Sequence, residues 1–195
     1  MLLDAAFDLL GTEGWAGTTV RAVCQAARLN PRYFYESFDD LDALVVAVYD
    51  RLVDQLATEF SDAVETAADD PAAQTRAALD RIVAFVDDDR RRARLLYVEA
   101  LGNEALNRRR IEAGRTLVAA LEQRVIDRHG PPPPGEQIGR VAAAVLVGGT
   151  SELVLAWLDG RIDVPRDQLV DDATALFLAV GEAAAAVAAG RGRQA

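Results

Sequence analysis

Lysine is absent from this chain of 195 residues; all 21 basic side chains are Arg. Against 31 acidic residues they leave a net charge of −10, which excludes a generic polyanion-binding surface and requires any nucleic-acid site to be local. Cysteine occurs once, at Cys24, which rules out an internal disulfide and any Cys-based zinc site. Cys24 lies on an apolar stripe and is expected to be a small buried hydrophobe. Histidine also occurs once, at Gly-Pro-flanked His129. It has no second His and no Cys pair with which to hold a metal, so none is expected. No GxSxG, P-loop or GxGxxG pattern is present, and nothing positions a triad around His129, so the chain is expected not to be an enzyme and to use no cofactor. The N-terminal MLLDAAFDLL carries Asp4 and Asp8 and no positive leader, unlike a signal peptide. No uncharged apolar run reaches the length of a membrane span; the nearest, 141–151, is too short. These exclusions predict a cytoplasmic protein with no membrane partner.

Strand signals are almost absent, and the apolar periodicity is helical throughout, so the fold class is all-α with about nine helices. Three small helices open the chain. A long helix runs from about Leu41 to Ala67, with Leu44, Val48, Leu52 and Leu56 on one stripe. Asp70-Pro71 pairs a capping side chain with a proline in the first helical position and starts a helix reaching about Asp87. Further helices are expected over 91–101, 103–128, 136–158, and from Pro165 to about Ala188. Gly130 to Gly135 encloses four prolines, a stiff connector that places His129 in a loop. The expected division is residues 1–45, then a larger bundle over 46–195.

Residues 18–38, TTVRAVCQAARLNPRYFYESF, have the greatest chemical specificity. Thr18 or Thr19 caps a helix on which Val20, Val23, Cys24 and Ala27 form one apolar stripe. Arg28-Leu29-Asn30 turns the chain. Asn30-Pro31 starts a second helix, on which Leu29, Phe34 and Phe38 face inward and Arg32, Tyr33, Tyr35 and Ser37 face outward. A helix-turn-helix, here 19–38, sets the N-terminal part of its second helix against base edges.

These residues resemble the TetR family of transcriptional regulators. The resemblance runs from Leu2 to about Leu52, through LLDAAFDLLGTEGW, TTVRAV and LNPRYFYESF. Phe34 takes a position usually held by Leu, while Tyr35 and Phe38 keep the family's Tyr and Phe. The resemblance implies that Thr19 and Tyr35 hold phosphates and that Arg21, Arg32 and Tyr33 reach bases or phosphates, with Asn30 and Ser37 beside them. It also implies double-stranded operator DNA, a small-molecule effector and a homodimer as partners. Four features depart from the pattern. Arg28 stands where the turn usually has Gly, Ser37 replaces a His, and Leu41 replaces a Lys that would meet phosphate. Residues 1–50 hold three Arg against eight carboxylates, net −5, so DNA binding is expected to be weak or salt-sensitive unless the Arg residues share a face. Helix 1 starts almost at Met1, so the basic arm that often precedes it in the family is expected to be missing.

In the bundle, Ile82, Phe85, Val86, Tyr97, Leu101, Leu117, Leu121, Leu146, Thr150 and Trp157 are candidate effector-binding residues, since interhelical pockets are apolar with a few polar groups. An apolar, aromatic or acyl effector follows. Leu96, Asn103 and Ser151 belong to the same region, and ordinary core packing is the alternative for each residue. Leu169, Ala173, Leu176, Val180, Ala184 and Val187 form one seam, and the preceding helix is apolar nearly all round. Val145, Gly149, Leu169, Ala173, Leu176 and Val180 are therefore candidate dimerisation residues in a four-helix interface. The runs Arg90-Arg91-Arg92 with Arg94, and Arg108-Arg109-Arg110, read first as solvated helix faces. They are otherwise salt-bridge partners for the acidic first and fourth helices, or a counter-charge for an anionic effector. Glu152 is expected to find a partner or a wet edge. The leading functional expectation is a repressor released by its effector. The alternative is a TetR-like ligand- or protein-binding module whose DNA binding is weakened or lost.

Overall fold

A computed structural model of the chain describes residues 1–132 and 135–192, apart from the side chains of 128, 129 and 192. Among the described residues every regular element is helical, and no strand occurs. Four short helices come first: α1 (Leu2–Thr12), α2 (Gly14–Gly17), α3 (Val20–Ala27) and α4 (Pro31–Tyr35). The long α5 (Leu41–Thr66) and α6 (Pro71–Asp87) follow. A continuous helical run then comprises α7 (Arg90–Ala93), a π-helical stretch (Arg94–Glu99) and α8 (Ala100–Gly102). The chain continues through α9 (Glu104–His129), α10 (Ile138–Leu158) and α11 (Arg166–Gly192).

The caps expected at Thr19, Asn30 and Asp70 are in place, and Asp40 adds one that the sequence reading did not name. Thr19 Oγ1 accepts from the Ala22 amide at 3.1 Å, and Asn30 Oδ1 from the Arg32 amide at 3.0 Å. Asp40 caps α5 through the Ala43 amide, and Asp70 caps α6 through the Ala73 amide, both at 2.8 Å. Each bond satisfies an amide that the helix itself leaves open. Three elements differ from the sequence reading, the first being that four short helices and not three open the chain, because Gly14–Gly17 forms a separate turn of helix after α1. His129 ends α9 and is not in a loop, because nothing before Gly130 stops the helix. The expected helix over 91–101 contains a π turn, which apolar periodicity alone does not reveal. The proline connector falls partly outside the described residues.

The chain forms two compact units, Met1–Phe60 with Ala84–Ile111, and Ser61–Val83 with Glu112–Ala195. In the first unit α1 packs against α3 and α7. Its core holds Leu10, Val23, Phe34, Leu44, Val45, Val48, Phe85, Val86, Leu95 and Leu106, all fully buried, and Cys24 lies among them. The Arg run of α7 is largely committed to this packing. Arg91 reaches Asp8 at 2.7 Å and lies 4.9 Å over the Phe7 ring. Arg92 donates to the Phe85 carbonyl at 2.8 Å and stacks on that ring. Arg94 donates to the Gly11 and Thr12 carbonyls at 3.2 and 2.8 Å. For these three side chains the solvated-face expectation is corrected: each is only partly exposed and is held by a named partner. Arg109 likewise pairs with Asp50 on α5.

In the second unit α10 packs against α11. Arg76–Asp171 and Arg166–Asp80, each at 2.8 Å, tie the first part of α6 to α11. The turn between α10 and α11 is fixed by Trp157 Nε1 donating to the Val164 carbonyl at 2.9 Å. Glu152 is exposed and pairs with Arg161 at 3.1 Å. Two helices bear on the membrane expectation. Ile138–Leu158 and Arg166–Arg191 are long and apolar enough, by length and composition, to cross a membrane. Neither is an uncharged run, since charged residues interrupt each. Core helices of soluble proteins pass the same test, but here much of both apolar surfaces is uncovered.

Two backbone sites generate predictions. At the end of α3 the Leu29 amide donates to the Cys24 carbonyl at 2.9 Å, closing a Schellman-type turn. Its left-handed position is filled by Arg28, at φ 56°. Arg28→Gly removes that strain and is expected to raise stability by about 0.5–1 kcal/mol after Gly's extra chain entropy is offset. Gly14 has φ +71°, and a Cβ there would meet Arg94 Nη2 at 2.6 Å and Glu99 Oε1 at 2.8 Å. Gly14→Ala is expected to lower stability by roughly 1–2 kcal/mol from the backbone alone. Thermal unfolding of both variants measures these opposite shifts.

Candidate nucleic-acid interface

The helix-turn-helix segment is built around Phe34. Its ring is fully buried, edge-on to Tyr35 at 5.2 Å and tilted against Phe38 at 6.0 Å. With Phe34 inward, helical geometry turns the neighbouring side chains of α4 outward. Tyr33 and Tyr35 are 55% and 61% exposed, and the Arg32 side chain is 81% exposed. Thr19, Arg21, Asn30 and Ser37 are exposed as well. The seven side chains expected at DNA thus lie on α3, α4 and their flanking turns, all open to solvent.

Their hydrogen bonds decide what they still offer. Thr19 spends a lone pair on its cap, which leaves its hydroxyl proton free to donate. Asn30 uses Oδ1 in capping and keeps its amide donors. Ser37 donates to the Tyr33 carbonyl at 3.1 Å and retains acceptor capacity only. Arg32 Nε donates to Glu36 Oε1 at 2.8 Å. That exposed i,i+4 pair is weak, so a phosphate or a guanine edge can replace the carboxylate.

The acid excess of the N-terminal segment has a structural explanation. Asp4 pairs with Arg51 at 2.6 Å and also accepts from the N-terminal ammonium. Those two hydrogen bonds pull its carboxyl down to about 2. Asp8 and Asp50 are answered by Arg91 and Arg109, and Asp42 accepts from Asn103 Nδ2 at 3.0 Å. Asp40 is occupied as a cap. Asp4, Asp8 and Asp50 are thus offset by cations of their own unit, two of them far along the chain, which a charge count over 1–50 does not see, while Asp40 and Asp42 are hydrogen-bonded but keep their charge.

The ten candidate effector residues are divided between the units. In the first, Phe85 and Val86 are fully buried core, Leu101 is 64% exposed, and Tyr97 is half-buried. Burial raises the Tyr97 phenol to about 12. The neighbouring Tyr49, which sequence reading did not select, is raised to about 12 by the same cause. In the second unit Ile82, Leu121, Leu146, Thr150 and Trp157 are half-buried and Leu117 is exposed. The Thr150 hydroxyl donates to the Leu146 carbonyl and the Trp157 indole to Val164, so both donors are engaged within the unit.

Of the candidate dimerisation residues, Leu169 and Ala173 are already covered by their own chain, at 3% and 5% exposure. Val145 and Leu176 stand out at 59% and 65%, Gly149 is exposed, and Val180 is half-buried. A shallow groove of about 240 Å³ runs between α10 and α11. It is lined by Ile138, Val141, Ala142, Val145, Val180, Ala183, Ala184 and Val187, all apolar. Among the described residues no group of three or more His, Cys, Asp or Glu is placed to hold a metal ion.

Residues 2–48 match the family model described as bacterial regulatory proteins, tetR family. The curated proteins contain no match to this chain. Its backbone is similar to many solved structures. One is the fatty acid degradation regulator FadR from Bacillus halodurans, at TM-score 0.74 and 16% identity, covering 91% of this chain and 92% of that one. Another is the transcriptional regulator FadR from Bacillus subtilis in complex with stearoyl-CoA, at TM-score 0.74 and 14% identity, covering 90% and 95%. A transcriptional regulator from Rhodococcus sp. Rha1 gives TM-score 0.71 at 22% identity, covering 91% and 94%. The match is confined to the N-terminal segment, which carries a capped helix-turn-helix with outward-facing Arg32, Tyr33 and Tyr35, and the likeness of the chain as a whole to these regulators is one of fold.

Proposed function

We propose that the chain is a dimeric, effector-responsive repressor that binds operator DNA through α3 and α4. The observation that carries this reading is the exposed row of Arg32, Tyr33 and Tyr35 over a buried Phe34, inside the segment that matches the family model. Arg32 supplies a guanidinium for guanine or phosphate, and the two phenols donate to phosphate oxygens. Thr19, Arg21, Asn30 and Ser37 frame them. Residues 1–45 form the DNA-binding part and 46–195 the part that dimerises and takes the effector.

Dimerisation through α10 and α11 accounts for the uncovered apolar residues Val141, Val145, Leu176 and Val187. Contiguous exposed apolar surface of this kind marks an interaction site. A second copy answers it and also meets the geometry of DNA, since half-sites on one duplex face lie about 34–36 Å apart or a multiple of it. For the effector we infer an apolar, acyl-type molecule. Within each unit the candidate residues are mostly apolar, and the similar Bacillus subtilis protein was solved with stearoyl-CoA. Effector binding shifts the population toward a conformer whose paired recognition helices are misplaced for the operator.

A second reading keeps the ligand-binding role and drops DNA. It is favoured by the Arg32–Glu36 pair and by Leu41 in place of a phosphate-binding side chain. Gel shifts on the DNA upstream of the gene, run across salt concentrations, separate the two. A repressor shows affinity that falls steeply with salt. Arg32→Ala is expected to cost about 1–3 kcal/mol if Arg32 reads a base. Absence of any low-salt shift favours the second reading. For the dimer, Leu176→Asp is expected to convert the protein to monomer in sedimentation. A monomeric parent chain, or one that partitions into lipid vesicles, would sink the proposed interface.

A further inference from the structure

The corner between α1 and α2 is held by one acid–base pair from the π-helical stretch. Arg94 Nε donates to Glu99 Oε1 at 2.8 Å, and Glu99 Oε2 accepts from the Trp15 amide at 2.8 Å. The same guanidinium donates to the last carbonyls of α1, those of Gly11 and Thr12. Gly14 leaves the space for both side chains. Glu99 is only 12% exposed, so its bonds are well shielded from water.

Arg94 and Glu99 are five residues apart. On an α-helix, at about 100° per residue, such residues point about 140° apart and cannot share a partner on one face. The π stretch closes i→i+5 bonds and brings them together. The clasp on α1–α2 and the helical register are therefore one structural fact. We propose that residues 94–99 act as a register switch. In the π register the pair clamps the α1–α2 corner, and with it the helix-turn-helix packed on α1. In the α register the pair separates and the corner is released. Val98 and Leu101, 50% and 64% exposed, lie on or next to the stretch. A change of register moves side chains that solvent reaches, which gives an apolar effector a means of acting on it. This last step rests on the effector reading above; the clasp does not.

Hydrogen exchange of the Trp15 amide in the full chain reads the clasp without DNA. Glu99→Ala is expected to speed that exchange about tenfold or more. Deletion of Val98 brings Arg94 and the carboxylate to i,i+4 spacing, where a regular α-helix pairs them. That variant is expected to hold exchange near the parent value and to keep DNA binding. It should lose the release of DNA by stearoyl-CoA, used as the probe, wherever the parent shows it. Unchanged exchange in Glu99→Ala overturns the inference. So does a deletion variant that unfolds or exchanges as fast as Glu99→Ala, or one that still releases DNA as the parent does. If the parent chain binds no DNA, the repressor reading fails while the amide measurement still decides the clasp.

Discussion

The last turn of α1 ends in carbonyls that no helix can satisfy, and a cation brought from more than eighty residues away satisfies two of them. Arg94 is that cation, and Glu99 completes the circuit by taking the Trp15 amide. A positive group at the C-terminus of one helix and a carboxylate at the start of the next suit both helix dipoles. The circuit fixes where α1 ends and α2 begins. Because α3 packs on α1 and α4 follows α3 through a tight turn, the orientation of the proposed recognition face traces back to this corner. The short helices have too few residues to be stable alone, so their geometry depends on such contacts.

The local chemistry was legible in the sequence. Thr19, Asn30-Pro31 and Asp70-Pro71 announce helix starts whose capping partners lie within three residues. The inward placement of Phe34 follows from periodicity on a short amphipathic segment. Distant pairing was not legible. Nothing in residues 1–50 says that Asp8 is answered by Arg91 or Asp50 by Arg109, so the segment reads as more acidic than its folded surroundings make it. The same limit applies to the Arg run at 90–94, which resembles a solvated face until α1 is placed beside it. The π turn was hidden for another reason: one extra residue in a helix leaves the apolar pattern almost intact and shows itself only in which side chains meet.

The candidate effector residues illustrate a third limit. Phe85 and Val86 are as apolar as any pocket lining, yet they are completely enclosed in ordinary core. Thr150 and Trp157 look like available donors in sequence, but the first bonds to its own helix and the second to the following turn. Composition tells which region is apolar; only packing tells which of its side chains keep a free surface or a free proton. Tyr49, on α5 and buried beside Tyr97, would have been selected by helical spacing had the pattern of α5 been read for polar tips as well as for its stripe.

The uncovered faces of α10 and α11 carry a consequence for regulation in the cell. In the proposed dimer, where two copies shield them, the amount of assembled protein at low abundance grows with the square of chain concentration. For the proposed repressor, promoter occupancy then switches over a narrower range of expression than a monomer would allow. On the same proposal, a lone chain presenting Val145 and Leu176 to water is more open to proteolysis and chaperone capture than a paired one. Both effects sharpen the same threshold, and both arise from leaving a hydrophobic surface unfinished within the single chain.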